Sequence, residues 1–394
     1  MPILKSIRNH KTVSNNDNWE YFGGGWRRSR PKTSRVVIDT HAHLFPRLGK
    51  SKGWDHNIHT KLSQNHMRDF NTFWRKKDNV REDGLLLDYP SDDIEQMPNL
   101  KFRITDHGRA EFVKDGIEYY MQIYPPGLSS MEVSPERMLG EMDIAGVDVC
   151  VLQSDHVYGE LNEFYGKVSR KYPNKFAPLA QIKEWNADQK DELQNLEKAV
   201  CEEGCIGLSF SVEGFALNGY KDQIDDRKFD SLWNLVEELD IPVWWYLDAR
   251  KRDRATAFME RLEELGRWTE THPDIPNLLT HGLVPATLIH NMGIPDALTN
   301  LLKKPQTYAE FQNPAKWPEY PYPEGQDLIK RMCEEVGVES FTWGSDMPFS
   351  AGYWCTYKQS VDHIDIHCDF LSEKERNLIL GGNAARILNI VITE

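Results

Sequence analysis

The chain has 394 residues, with 47 Lys and Arg against 61 Asp and Glu, a net charge of −14, 40% hydrophobic and 11% aromatic residues. That composition can fill a substantial core and excludes a disordered or fibrous chain. The acidic balance, with no basic run beyond the short 26-WRRSRPK-32, argues against a nucleic-acid partner.

Six cysteines stand at 150, 201, 205, 333, 355 and 368, and no CxxC pair occurs. Cys201 and Cys205, four apart in a helical pattern, suit packing better than a metal. The first residues, MPILKSIRNHKTVSNND, lack the apolar stretch of a signal peptide. No run approaches the roughly 18 apolar residues that span a bilayer. The expected location is the cytoplasm, with no membrane partner, and residues 1–35 read as an N-terminal arm.

The first strong element is 36-VVIDTHAHLFP-46. Three β-branched residues run into an acid, which predicts a strand, and His41 and His43 follow two apart. Side chains at that spacing share one side of a strand, so the pair forms half of a metal site. The plainer alternative is two separate histidines at a strand end, one buried and hydrogen-bonded.

Residues 47 to about 130 then interrupt the rhythm, far longer than an ordinary connection. Inside this insertion, 66-HMRDFNTFWRKKDN-79 is basic, aromatic and weakly helical, and 101–108 and 109–125 read as strands with a turn at Asp115-Gly116. Two roles are open for it: a lid or specificity subdomain, or an arm that makes a homodimer.

Ser134-Pro135-Glu136 is an N-cap, a proline at the first helical position and a first-turn acid, with Gly146 as the stop. From there apolar runs alternate with helical patterns: 147–155, 176–182, 205–211, 241–247, 277–282, 307–312 and 340–346. With the first strand these make eight βα units on both-face-buried strands. They predict an α/β fold, a (β/α)8 TIM barrel with a long insertion after strand 1. The alternative is a doubly wound open sheet. No GxGxxG follows the first strand, so no nucleotide or flavin is expected. The barrel would span 36–394.

Strand ends supply the remaining chemistry. His281 closes 277-NLLTHG-282, and Asp346 closes 340-SFTWGSD-346, beside strand 1 once the barrel shuts. A carboxylate there can ligate a divalent ion or accept a proton. Arg250, just past strand 5, could grip a substrate carboxylate or make an ordinary surface ion pair. Trp185, Trp244, Trp245, Tyr246, Trp343, Phe349, Tyr353 and Trp354 cluster near the strand ends and suit a planar small-molecule substrate; at least half are expected to be packing.

HxH on strand 1, THG on strand 6, GSDMP on strand 8 and the closing 381-GGNAARIL-388 together resemble the amidohydrolase superfamily. The resemblance is nearest to the branch containing aminocarboxymuconate-semialdehyde decarboxylase and related aromatic-acid decarboxylases, and it covers 36–394 apart from the insertion. It implies one divalent ion, zinc or manganese, with His41, His43 and Asp346 as ligands and His281 as a catalytic residue. One position departs from the branch. Where it places a strand-five histidine this chain has Tyr246, with Asp248 two residues on and, by strand alternation, facing the same way. A neutral tyrosine is a poor ligand. Three outcomes stay open: Asp248 or His281 completes the ligand set, Tyr246 binds substrate, or the site holds no metal. Strand 4 offers Leu208, Ser209 and Phe210 but no lysine, which argues against a carbamate-bridged two-metal centre. The reaction the resemblance implies is decarboxylation of a small aromatic or unsaturated carboxylic acid. The alternative is hydrolysis of a lactone, ester or amide with Asp346 as general base.

Overall fold

Eight short parallel strands carry the architecture: β1 Ile38–Ala42, β2 Val149–Leu152, β3 Phe176–Pro178 resumed at Ala180–Gln181, β4 Leu208–Ser211, β5 Val243–Tyr246, β6 Asn277–Leu279, β7 Thr307–Gln312 and β8 Phe341–Gly344. The computed structural model describes residues 19–22, 25–28, 35–50, 52–69, 72–86, 91–251, 253–281, 293–312, 320–353 and 355–390, and only the backbone of 19–22, 25–28, 69 and 353. Each strand pairs in parallel with the next, from β1 to β8. The ring closes where β8 meets β1. His43 N–H donates to Met347 O (2.8 Å), Asp346 N–H to His41 O (2.7 Å), and the Thr40 hydroxyl to Trp343 O (2.9 Å).

The helices fall between the strands as βα alternation requires. They are α1 Pro135–Ala145, α2 Asn162–Lys171, α3 Lys190–Cys201, α4 Asp230–Glu238, α5 Arg254–Thr271, α6 Asp296–Leu302 and α7 Pro323–Val336, and α8 Asn383–Ile387 follows β8. α1 has the signals read from the sequence: the Ser134 side chain accepts from Arg137 N, and Gly146 ends the helix at φ +87°. Among the described residues no helix is long and apolar enough to cross a membrane.

Strand alternation sorts the aromatic residues. Trp244 faces the barrel interior with Ile38, Val151, Leu278 and Tyr308, where α8 packs against them. Trp245 faces outward onto Trp233, Trp268 and Phe210 beneath the helices. Trp343 is also core, and Trp185 packs its edge against His156. Of the cluster near the strand ends, only Tyr246 and Phe349 line the central cleft among the described side chains. Trp354 and the Tyr353 side chain lie outside them.

Asp39 clamps the closure. Its fully buried carboxylate accepts from Ser345 N–H (2.9 Å), Ser345 hydroxyl (2.5 Å), Tyr357 hydroxyl (2.5 Å) and His41 N–H (2.9 Å). Burial outweighs those bonds and raises its pKa to about 6.

The insertion forms a five-stranded antiparallel sheet in the order 81–82, 73–75, 117–122, 109–114, 103–104. Asp115 (φ +52°) and Gly116 (φ +77°) make the hairpin turn, both left-handed as a tight two-residue turn needs. The helical expectation for 66–79 is displaced. The helix is His59–His66, followed by a 3-10 turn and the strand Phe73–Arg75. The aromatic residues Phe73 and Trp74 pair into the sheet, and β-propensity wins there. Of the N-terminal arm, Trp19–Phe22 and Gly25–Arg28 form a hairpin, Arg35 is described where the barrel begins, and the rest lies outside the described residues.

Candidate metal centre and active cleft

Three buried electron-pair donors converge at the β1–β8 junction. His41 Nε2 and His43 Nε2 are 3.1 Å apart. Asp346 Oδ1 lies 3.1 Å from His43 Nε2 and 3.8 Å from His41 Nε2. The period of two on β1 aims both imidazoles the same way. Asp346 reaches them because its backbone turns left-handed at φ +56°. Gly344 permits the approach of β8, since a Cβ there would sit 2.8 Å from His41 Cβ and from Glu310 Oε2.

The partners behind the rings fix their tautomers. His43 Nδ1 lies 3.1 Å from the Gln153 carbonyl, which can only accept, so Nδ1 carries the hydrogen. His41 Nδ1 donates to Glu310 Oε1 at 2.6 Å. That carboxylate, wholly buried in β7, also accepts from His281 N–H (2.6 Å) and Thr40 hydroxyl (3.3 Å). Both Nε2 atoms therefore turn lone pairs toward each other and toward a carboxylate oxygen. Such a trio repels unless a positive charge lies among its members. A tetrahedral ion with bonds of about 2.1 Å holds its ligand atoms about 3.4 Å apart. The observed spacings bracket that figure, so these residues fit a divalent ion. Without one, His41 takes up a proton readily. Burial alone would lower its pKa, but Glu310, then Asp346 and Asp39, lift it to about 9.

His281 sits at the end of β6 with φ +56°, its ring stacked on His41 at 4.8 Å and edge-on to Tyr246 at 5.1 Å. One ring nitrogen groups with His41 and Glu310 within 4.8 Å. Tyr246, at the strand-five position, lines the cleft, and its hydroxyl accepts from the Arg250 guanidinium. Burial, against the pull of Arg250, keeps the phenol well above its ordinary pKa, so it is neutral.

Asp248 does not face the cleft beside Tyr246 as strand alternation suggested. β5 ends at Tyr246, and the chain turns, so Asp248 pairs with the Arg254 guanidinium and lies 3.7 Å from Arg250. Burial would raise its pKa, yet Arg250 and Arg254 hold its carboxyl well below the usual range. Asp248 groups with no metal-binding cluster among the described residues. Arg250 is not a surface residue. It is buried at φ +53° and lines the cleft.

The cleft encloses ≈ 610 Å³ when its solvent-open mouth is counted. Its wall includes His41, His43, Asp346, His281, Tyr246 and Arg250, and the insertion adds His66, Met67 and Tyr124. A second polar group sits there: His66 Nδ1 lies 2.8 Å from Glu213 Oε2 and 3.9 Å from Asp155 Oδ2. The sequence reading missed Glu310, Gln153, Glu213 and His66. For Glu310 a signal existed, a lone carboxylate inside the apolar strand 307-TYAEFQ-312. The insertion offered none, because its register against the barrel is a tertiary fact.

No curated protein matches the sequence significantly. Among solved structures, 5-carboxyvanillate decarboxylase from Sphingomonas paucimobilis is similar at TM-score 0.53 and 15% identity, over 90% of this chain and 99% of that one. A dihydroxybenzoic acid decarboxylase from a Polaromonas species, with bound manganese and an inhibitor, is similar at TM-score 0.50 and 17% identity, over 67% of this chain and 89% of that one. A probable 2-pyrone-4,6-dicarboxylic acid hydrolase from Acinetobacter baumannii is similar at TM-score 0.50 and 17% identity, over 66% and 90%. These likenesses are likenesses of fold. The amidohydrolase family model matches residues 38–390, nearly the whole length, and the chain belongs to that family of enzymes.

Proposed function

We propose that this amidohydrolase-family enzyme is a metal-dependent carboxy-lyase acting on a small planar carboxylic acid. The observation that carries the reading is the trio His41 Nε2, His43 Nε2 and Asp346 Oδ1, whose lone pairs face one another within 3.8 Å in the wall of the cleft. When bound there, a divalent ion, zinc or manganese, supplies Lewis acidity toward a substrate carboxylate and a neighbouring oxygen.

The chain's own groups account for the rest. Glu310 and the Gln153 carbonyl hold the two imidazoles in the tautomer that leaves Nε2 free to ligate. Tyr246 and Arg250, on the far wall, donate to substrate oxygen. Tyr124 and Phe349 line the cleft and offer aromatic surface to a ring. Decarboxylation needs an acid over the carbon that loses its carboxylate. His281 or protonated Asp346 serves, the C–C bond pair takes that proton, and CO2 departs.

Hydrolysis is the second reading. It rests on Tyr246 standing where a further imidazole ligand is expected, and in it Asp346, 3.1 Å from His43 Nε2, acts as base. The test is turnover by protein loaded with Mn2+ or Zn2+, scored for CO2 release on a panel of aromatic acids and for ring opening on a panel of lactones. CO2 release that chelation abolishes is the expected result. Lactone opening without CO2 would move the assignment to hydrolase.

A further inference from the structure

The insertion brings one chemistry-bearing side chain into the cleft that neither the metal centre nor the decarboxylation step uses. His66 ends the helix His59–His66, and its ring nitrogens are already distinguished by their partners. Nδ1 donates to Glu213 Oε2 at 2.8 Å, and Asn65 Nδ2 donates to the other oxygen of that carboxylate at 3.2 Å. Nε2 faces Arg250 Nη2 at 3.3 Å. A guanidinium can only donate, so in this contact Nε2 stands as the acceptor.

The contact of 3.3 Å is longer than a good N–H hydrogen bond, so a better-fitting group can displace it. That group has to accept from Arg250 and donate to His66 at nearly the same point. A carboxylate accepts but cannot donate, and it would meet Glu213 and Asp155, whose oxygens lie 2.8 and 3.9 Å from the His66 ring. An ammonium donates but would face the guanidinium. A hydroxyl does both with one oxygen.

We infer that His66 and Arg250 form a specificity subsite for a hydroxyl substituent, phenolic or enolic, on the planar acid, and that the insertion thereby selects the substrate. The subsite rests on the proposed function, because it needs the acid's carboxylate at the metal centre. His66 reads the hydroxyl's hydrogen, and Arg250 and the Tyr246 hydroxyl hold its oxygen. Recognition through a buried donor–acceptor pair is strict, since an analogue without the group leaves both partners unsatisfied.

The experiment is calorimetric titration of the Mn2+-loaded full chain with benzoate, its monohydroxy isomers and their methyl ethers. At least one hydroxy isomer should bind about tenfold more tightly than benzoate and than its own methyl ether, which keeps the oxygen and loses the hydrogen. His66→Leu should erase that preference while benzoate affinity stays within about twofold. His66→Gln, whose amide oxygen falls near the position of Nε2, should keep part of it, and it carries the test if the leucine variant fails to fold. A preference that survives both substitutions overturns the subsite, as does the absence of any hydroxy preference in the unsubstituted protein. If benzoate binds without such a preference, only the subsite fails. If no member binds the metal-loaded protein, the carboxylate-at-metal reading fails with it.

Discussion

On the β1–β8 side of the cleft, His41, His43 and Asp346 aim three lone pairs at one point, each imidazole backed by a partner outside it. On the β5 side, Tyr246, Asp248 and Arg250 direct their polar atoms at one another and at Arg254. Both walls are buried and both set a carboxylate among uncharged polar groups, but only the β5 wall has cations of its own, Arg250 and Arg254. The first leaves an electrostatic need that an ion or a proton meets, and the second is close to neutral already. The difference follows from where the counter-charges lie. Glu310 stands behind His41 and orders it from outside the convergence point, whereas Asp248 stands between two guanidiniums and is consumed by them.

Substitutions can break this contrast, and the largest effect should come from Asp346→Asn. It removes the proposed carboxylate ligand beside the imidazole pair, and turnover should fall on the order of 10^3-fold with reduced metal stoichiometry. Full activity in a metal-replete Asp346→Asn protein would end the idea that the trio is the reaction centre. On the opposite wall, Asp248→Leu should leave metal content unchanged and lower stability, by about 3 kcal/mol in a denaturant titration, because two arginines lose their carboxylate. Metal loss without a stability change would reverse the roles assigned to the walls.

A smaller effect sharpens the account of the backing groups. Glu310→Gln keeps the shape of β7 but removes the charge that sets the His41 tautomer, and metal affinity should drop 10–100-fold by chelator competition. The smallest effect concerns the insertion. His59 Nδ1 accepts from Asp55 N–H at 2.7 Å, and burial, then the neighbouring His156, lowers its pKa from 6.5 to about 4. The unfolded chain therefore binds the extra proton first. The stability held by neutral His59 is whole above about pH 7 and is lost as pH falls from about 6.5 toward 4, on the order of 2 kcal/mol. His59→Asn, which keeps an acceptor near Nδ1, should flatten the acid limb of the urea midpoint against pH. An unchanged slope would exclude His59 as its source.

Sequence and structure divide at identifiable residues. His41 and His43 were legible as a pair because strand periodicity is local. The approach of Asp346 was legible through eightfold βα repetition, which brings strand 8 beside strand 1. Asp248 was misread because alternation was continued two residues past the end of β5, where the backbone had left the strand and Arg250 adopts φ +53°. The aromatic cluster was only half informative. Trp244 and Trp245 are neighbours in sequence but go to opposite faces, one into the barrel and one under the helices.

By itself the sequence determined the alternating strands and helices, the caps of α1, the Asp115-Gly116 turn and the residue types at the strand ends, because each depends on contacts within a few positions. Tertiary structure alone decided which lone pairs face one another, that Glu310 lies behind His41 across 269 positions of chain, and that an insertion helix delivers His66 to Arg250. Hydrogen-bond direction and burial depend on neighbours that only folding brings together, and they turn similar side chains into a candidate metal centre on one wall and a neutralised network on the other.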